Sequence, residues 1–299
     1  MNAIEIKNLS KSFRGMYAVD HLNMTVPVGA IYGFIGENGS GKSTTEKLIC
    51  GHLVPDGGEI KLFGKDYTDA GVRARVGALI ENAGCFPGSS VWDNLMMQAI
   101  NLGLENRDAE IERVLKIVRM ENSAHIKFKS CSLGMKQRIG IAMALLGDPA
   151  LLILDEPING LDTDGMRIMR EILVDITQNY GCTVLISSHI LGELEKIATH
   201  YGIIRQGKMI QELSAKEMEG RARVFVSVKT KDMQGALLAL QEKFGNVRKE
   251  EEYLRIYDVE ETESIVEYLL QKGYVVSEIK KNKIGLEEYY VELMSKKEA

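Results

Sequence analysis

The sequence contains no run of apolar residues long enough to cross a bilayer. Its longest apolar runs, Ile141–Leu146 and Ala150–Leu154, fall far short of the roughly 20 residues that a membrane-spanning helix needs. The segment Met1–Phe13 alternates apolar and polar residues and lacks the charged and apolar regions of a signal peptide. We therefore expect a chain that does not itself form a membrane channel.

Clustered cysteine and excess positive charge are also missing. The cysteines Cys50, Cys85, Cys131 and Cys182 form no C-x-x-C pair, which argues against a zinc site. We expect them to be buried or unreactive free thiols, as is usual in a reducing cytosol. Lys and Arg number 37 against 42 Asp and Glu, a net charge of −5, so the chain lacks the basic excess typical of nucleic-acid-binding proteins.

A glycine-rich loop stands between a short apolar strand, Ala30–Ile35, and a helix predicted over Thr44–Cys50. The loop matches the phosphate-binding pattern G-x-x-x-x-G-K-[ST], in which backbone N–H groups and the positive end of the helix dipole meet phosphate oxygens. Lys42 would supply charge for the β- and γ-phosphates, and the Ser43 hydroxyl would bind Mg²⁺. The predicted nucleotide-binding residues of this segment are Gly36, Glu37, Asn38, Gly39, Ser40, Gly41, Lys42, Ser43 and Thr44.

Two adjacent carboxylates end a second apolar strand. Leu151–Leu154 leads directly into Asp155 and Glu156, at the carboxyl end of the strand, where α/β sheets bind ligands. Asp155 could hold Mg²⁺, and Glu156 could act as general base on an attacking water. Without other evidence, such a pair would be interpreted at least as readily as a helix N-cap. The glycine-rich loop favours the catalytic interpretation.

With these motifs, residues 1–213 resemble the nucleotide-binding domain of ABC transporters. The segment from Asp155 to Asp162 is similar to the family's magnesium and base motif running into the D-loop. His189 stands where the family has a switch histidine that contacts the γ-phosphate; without the family, a lone histidine after a strand is more often structural. The resemblance implies ATP and Mg²⁺ as ligands, and as catalytic residues Glu156, His189 and Lys42.

The resemblance also implies a signature motif and an adenine contact. The family form LSGGQ is reduced here to Ser132 and Gly134, and Ser132 is equally suited to cap a helix. In the family this motif meets the γ-phosphate held by the opposite subunit. The signature residues are then Ser132, Leu133, Gly134 and Met135. Phe13 stands where the family places the aromatic ring that stacks on adenine, with Tyr17 as the alternative and Val19 as a further nucleotide contact.

Glu81 replaces a glutamine that in the family contacts Mg²⁺ and senses the membrane subunit. This change, the signature form S-L-G-M-K-Q-R and the C-terminal extension together resemble the bacitracin and lantibiotic exporter ATPases. The resemblance implies that Glu81 joins Ser43 and Asp155 as a magnesium ligand. It also implies export of, or immunity to, an antimicrobial peptide.

The alternation of strands and helices predicts an α/β fold. We expect a P-loop NTPase (RecA-like) core with an antiparallel β subdomain and an inserted helical subdomain at about residues 88–148. A linker is predicted at Ser214–Arg223 from its charge and weak periodicity. Residues 221–299 show a β-α-β-β-α-β order, which predicts a small α+β accessory domain that could be ferredoxin-like. This domain could stabilise a dimer or sense a regulatory ligand.

The resemblance implies two partners, a separately encoded membrane permease and a second copy arranged head to tail around two ATP molecules. The chain would then lie in the cytoplasm, attached to the membrane through the permease, without binding nucleic acid. A DNA-repair ATPase would need a long heptad coiled coil, which is absent, and a translation factor would usually carry two cassettes and a basic surface. Export of another substrate stays open.

Overall fold

The computed structural model describes residues 1–221, 224–257, 259, 261–283 and 285–295. The chain divides into two compact units, Met1–Ala215 and Lys216–Ala299. Within the described ranges, no helix is both long enough and apolar enough to span a bilayer.

Strands and helices alternate through the first unit. Its strands are β1 (Asn2–Phe13), β2 (Met16–Pro27), β3 (Ile31–Ile35), β4 (Gly57–Leu62), β5 (Lys65–Asp66), β6 (Val76–Leu79), β7 (Leu151–Asp155), β8 (Thr183–Ser188), β9 (His200–Arg205) and β10 (Lys208–Ser214). Its helices are α1 (Lys42–Ile49), α2 (Ala70–Arg73), α3 (Val91–Asn101), α4 (Arg107–Ile117), α5 (Leu133–Leu145), α6 (Thr163–Gln178) and α7 (Leu191–Leu194). Short 3₁₀ turns lie at Glu121–Ser123 and Phe128–Ser130.

A central sheet in the order β10-β9-β3-β8-β7-β6 carries the site. Its strands pair in parallel from β9 through β6, and β10 pairs antiparallel with β9. The middle strands are buried along their length and consequently read as continuous apolar runs. On α6, Met169, Ile172, Leu173 and Ile176 recur at helical spacing and are buried, which packs this helix onto the sheet.

The second sheet of this unit is antiparallel, in the order β2-β1-β4-β5. Its apolar face forms one core with Leu48 and Ile49 of α1 and with side chains of the central sheet. Helices α3, α4 and α5 pack together as the inserted helical region, with Ile111, Val114 and Leu115 buried as their spacing predicts. The predicted fold class, a P-loop NTPase core with β and helical subdomains, is confirmed.

The second unit is a four-stranded antiparallel sheet with helices. Its elements are α8 (Ala215–Arg221, beginning at the last residue of the first unit), β11 (Val224–Thr230), α9 (Met233–Phe244), β12 (Val247–Glu250), β13 (Tyr253–Tyr257), α10 (Thr262–Gln271), β14 (Val276–Lys283) and α11 (Leu286–Ser295). The strand order β12-β13-β11-β14 is that of a ferredoxin-like βαββαβ unit. Its core packs Val226, Val228 and Leu254 against Leu240 and Ile265.

The segment predicted as a linker, Ser214–Arg223, is mostly helical. Ser214 ends β10, and α8 occupies Ala215–Arg221; residues 222 and 223 lie outside the described residues. Alanine, lysine, glutamate, methionine and arginine are strong helix formers, which explains why a charged segment without clear periodicity still forms a helix.

Candidate nucleotide-binding and catalytic site

The glycine-rich loop connects β3 to α1 and has two positions where only glycine fits. A Cβ atom on Gly36 would lie 2.5 Å from Ser40 Oγ and 2.6 Å from the carbonyl oxygen of Ile204. Gly41 has φ of 110°, in the left-handed region, and a Cβ there would lie 2.4 Å from the carbonyl oxygen of Ala18. These glycines allow the backbone to form a tight cradle at the start of α1.

One backbone hydrogen bond holds the loop to the turn between β9 and β10, and a second holds that turn to β2. The Gly207 N–H donates to the Ser40 carbonyl at 2.8 Å, and the Asp20 N–H donates to the Gly207 carbonyl at 2.9 Å. The turn between β9 and β10 thus links the loop to β2. The loop tip at Glu37, Asn38 and Gly39 is exposed, and Ser43 and Thr44 are half-buried.

Lys42 lies between the loop and the acidic strand end. Its Nζ donates to the carbonyl oxygens of Gly36 at 2.6 Å and Glu37 at 3.2 Å, and lies 3.6 Å from Glu156 Oε1. The side chain is buried. This position puts the charge of Lys42 within the loop that would surround a phosphate.

Ser187 organises the two adjacent carboxylates. Asp155 ends β7 directly opposite Ser187 on β8. The Ser187 hydroxyl donates to Asp155 Oδ1 at 2.9 Å and accepts the Glu156 N–H at 3.1 Å. Glu156 itself has φ of 49°, a left-handed conformation that redirects the chain immediately after the strand.

Glu156 contacts the predicted switch histidine as well as Lys42. The distance from His189 Nδ1 to Glu156 Oε2 is 2.7 Å, and the His189 side chain is exposed. The Glu156 carboxylate therefore lies between a lysine and a histidine, and its orientation is fixed by these neighbours. The three predicted catalytic side chains therefore lie together.

Glu46 belongs to this site and was not among the predicted residues. It lies on α1, fully buried. Burial, together with the nearby negative charge of Asp155, raises the pKa of its carboxyl group to about 8. The signal in the sequence is a glutamate three residues after Ser43, on the helical face that carries the phosphate-loop side chains.

Glu81, predicted as a magnesium ligand, lies in an ion pair with α1. Its Oε1 is 2.6 Å from Lys47 Nζ, with 62% of the Glu81 side chain and 30% of the Lys47 side chain exposed. Glu81 has φ of 64° and lies just beyond the end of β6. The structure thus places this carboxylate on the outer side of the phosphate-loop helix.

The predicted adenine contacts separate into two groups. Phe13 and Tyr17 lie in the β1–β2 hairpin and are 46% and 58% exposed, so either ring has a free face for a base. Lys11 Nζ lies 5.7 Å from the centre of the Phe13 ring. Val19 is completely buried in the core, so its side chain serves packing and presents no surface to adenine.

Three of the four predicted signature residues, Ser132, Leu133 and Gly134, border one groove of about 420 Å³ together with the D-loop residue Asp162, and Met135 is not among the residues that line it. Ser132 caps α5, its Oγ accepting the Met135 N–H at 3.3 Å, while Ser132 and Leu133 are exposed. Gly134 is half-buried beside them. Asp162 caps α6 through a 2.8 Å bond from the Gly165 N–H. The signature therefore has a helix N-terminus facing an open groove.

A phosphate loop between a strand and a helix, with carboxylates at the end of another parallel strand of the same sheet, defines a P-loop NTPase. Residues 19–159 match the model of the ABC transporter family. The bacitracin transport ATP-binding protein BcrA of Bacillus licheniformis is 34% identical over 298 residues, covering 97% of each chain. The chain therefore belongs to the ABC transporter family, as an ATP-binding subunit that hydrolyses ATP.

Two further similarities have a narrower extent. The lantibiotic transport ATP-binding protein SrtF of Streptococcus pyogenes is 39% identical over 217 residues, covering 73% of this chain and 92% of SrtF. The ATP-binding cassette MJ0796, solved as a dimer in a post-hydrolysis state with ADP and Pi, superposes with a TM-score of 0.65 at 22% identity, covering 71% of this chain and 98% of the cassette. This second similarity concerns the fold.

Proposed function

We propose that this chain powers an exporter that removes an antimicrobial peptide such as bacitracin or a lantibiotic, or protects the cell against it. The observation that carries the proposal is the similarity to BcrA, which extends over 97% of both chains and so includes the C-terminal unit. Residues 1–213 would form the nucleotide-binding domain. Residues 221–299 would form an accessory domain that stabilises a dimer.

The donors at the site suit Mg²⁺, a hard cation that prefers oxygen ligands. The Ser43 hydroxyl and the Asp155 carboxylate would hold it. When bound, the ion would neutralise negative charge on the β- and γ-phosphates. The buried Ser40 hydroxyl oxygen, which makes no hydrogen bond to the described residues, is a further group inside the cradle that a ligand could satisfy. Glu81 would reach the ion only by leaving Lys47.

The remaining side chains divide the chemistry of hydrolysis. Lys42 would transfer its hydrogen bonds from the loop carbonyls to phosphate oxygens. Glu156 would accept the proton of the attacking water, with His189 holding its carboxylate in position. Phe13 would stack on adenine. Because Lys42 lies on α1, and Glu156 and His189 directly follow the ends of parallel strands, the catalytic side chains require little rearrangement of the backbone.

A second copy of the chain would complete each site. Ser132, Leu133, Gly134 and Met135 would meet the γ-phosphate held by the opposite subunit, with Asp162 in the neighbouring D-loop. The exposed helix N-terminus at Ser132 is suited to an anion. A separately encoded permease would supply the membrane channel and hold the dimer at the cytoplasmic face of the membrane.

The test is survival of a susceptible host that expresses the chain with its permease, in the presence of bacitracin and of a panel of lantibiotics. Wild type should protect, and the Glu156→Gln variant, expressed at the same level, should not. A pair that hydrolyses ATP in liposomes, yet protects against none of these peptides, would contradict the proposed substrate class while leaving the ATPase assignment intact.

A further inference from the structure

An ion pair between Arg170 and Glu193 joins two helices of the first unit. Arg170 lies on α6 and Glu193 on α7, with 3.1 Å between Arg170 Nε and Glu193 Oε2. Only 23% of the Arg170 side chain and 13% of the Glu193 side chain are exposed. Solvent and salt therefore screen the attraction between these two charges less than they screen an exposed pair.

The burial of this pair makes separation of the two charges unfavourable. The facing atoms, Arg170 Nε and Glu193 Oε2, are buried, and neither makes a hydrogen bond to the described residues, so their close approach is an electrostatic contact without hydrogen-bond alignment. Loss of one partner would leave the other charge largely buried and unpaired. Movement of α7 away from α6 at this point is therefore costly.

The helix α7 depends on tertiary contacts for its position. It has four residues, and a helix this short has little stability of its own. Its Leu191 and Leu194 side chains are buried. Leu194 packs directly on β3, since a Cβ atom on Gly33 would lie 3.3 Å from Leu194 Cδ1. Glu193 adds the ionic contact with α6, so α7 is held by the sheet and by this helix.

His189 lies in the short connection between the end of β8 and the start of α7. The Glu193 N–H donates to the Ile190 carbonyl at 3.3 Å, and the Ile190 N–H donates to Ser188 Oγ at 3.0 Å. The residue after His189 is thus bonded both to the strand end and to α7. Because His189 Nδ1 lies 2.7 Å from Glu156 Oε2, a shift of α7 would change the position of the imidazole relative to the candidate base.

We propose that the Arg170–Glu193 pair positions His189 against Glu156 by holding α7 on α6. Arg170 and Glu193 are thus positioning residues that act through His189. The inference rests on the proposed role of His189 in orienting the Glu156 carboxylate. Lys196 Nζ also donates to Glu193, at 2.6 Å from Oε1, but Lys196 lies in the same segment three residues further on, so this second pair does not join two helices.

The experiment measures kcat and KM for ATP hydrolysis by the purified full chain, with radiolabelled ATP so that slow variants remain measurable. The variants are Arg170→Gln, Glu193→Gln, His189→Ala and the double variant His189→Ala/Glu193→Gln. Lys196→Gln is the matched control, because it removes the local partner of Glu193 and keeps the contact with α6. Circular dichroism establishes that each variant is folded at the assay temperature. Arg170→Lys, which keeps the charge and loses the guanidinium geometry, provides the test if the glutamine variants do not fold.

We expect kcat to fall about tenfold in Arg170→Gln and in Glu193→Gln, with KM for ATP changed less than about twofold, because misplacement of a catalytic group slows the chemical step. In the His189→Ala background, Glu193→Gln should lower kcat no further. The control should match wild type. An unchanged kcat in both glutamine variants, the same fold-loss with and without His189, or an equal loss in Lys196→Gln would each overturn the inference. A His189→Ala protein that hydrolyses ATP at the wild-type rate would instead contradict the proposed role of His189.

Discussion

Lys47 of α1 and Glu81, just beyond β6, form an ion pair with 2.6 Å between Nζ and Oε1. Both side chains are partly exposed, and ion pairs of this kind stabilise proteins by roughly 0–1 kcal/mol. Glu81 can therefore leave Lys47 at small cost. Since the segment that follows contains Asn82, Gly84 and Pro87, the carboxylate is on a loop that could move between the lysine and the nucleotide site.

Movement of the Glu81 carboxylate between Lys47 and the nucleotide site predicts that Glu81 contributes little to the chemical step. Glu81→Gln should keep ATP binding and change basal hydrolysis by less than about tenfold, roughly 1.4 kcal/mol. Glu81→Ala should lower transport more than it lowers hydrolysis by the isolated subunit. Transport would be measured with the purified permease in liposomes, and basal hydrolysis with the purified subunit alone. A Glu81→Ala protein as slow as Glu156→Gln would show instead that Glu81 is catalytic.

Glu156→Gln should nearly stop hydrolysis, because glutamine cannot accept the proton of the attacking water. A general base typically contributes roughly 10²–10⁴ in rate. ATP affinity should persist, and the variant should accumulate as a dimer on size-exclusion chromatography with Mg-ATP. The matched control is Glu171→Gln, which alters an exposed carboxylate paired with Arg119 and Arg167. Only monomer at high concentration would count against the closed dimer.

Lys42→Ala should weaken nucleotide binding itself. The ammonium lies within the loop, against its carbonyl oxygens, and its loss removes the charge that would meet the phosphates. Fluorescent-nucleotide titration should show a clear loss of ATP affinity. The Lys47→Ala variant, five residues further along α1, should bind ATP like wild type. Equal affinity in Lys42→Ala and wild type would contradict the phosphate-cradle assignment.

The first unit alone, residues 1–215, should fold and bind ATP. Its boundary keeps β10 intact and retains the 2.8 Å bond from the Ala215 N–H to the Thr199 carbonyl. Every predicted nucleotide contact lies before this point. Circular dichroism and nucleotide titration would test the fragment. An unfolded product would mean that the two units share a folding core.

Local motifs were the most predictable part of the site. The cradle at Gly36–Ser43 and the pair Asp155–Glu156 each have a recognisable sequence pattern and directly follow a predicted strand. Because the carboxyl ends of parallel strands lie at the same edge of a sheet, the two motifs are expected to lie close together. The apolar spacing of Ile111, Val114 and Leu115 likewise predicts the buried face of α4. In each case the residues that determine the local structure lie within a few positions of one another in the sequence.

Contacts between distant residues were not predictable in this way. Lys47 and Glu81 are 34 residues apart, and a surface pairing of this kind depends on how α1 and the loop after β6 meet after folding. The alternation of apolar and polar residues in β2 is visible in the sequence. The sequence does not show, however, that Val19 is fully buried in the core between the two sheets. For Glu46, helical spacing gives the side of α1, whereas only the packing against β7 shows that this side is closed to water.

The hydrogen bonds that join Gly207 to Ser40 and Asp20 affect how fast and how tightly the loop can capture its ligand. A loop that is bonded to this turn before the nucleotide arrives, while the turn is itself bonded to β2, loses little further conformational entropy on binding. Association would then be limited by diffusion and access, with no slow ordering step for the cradle. The affinity gained by this rigidity would come from the turn between β9 and β10, which carries no nucleotide-binding motif of its own.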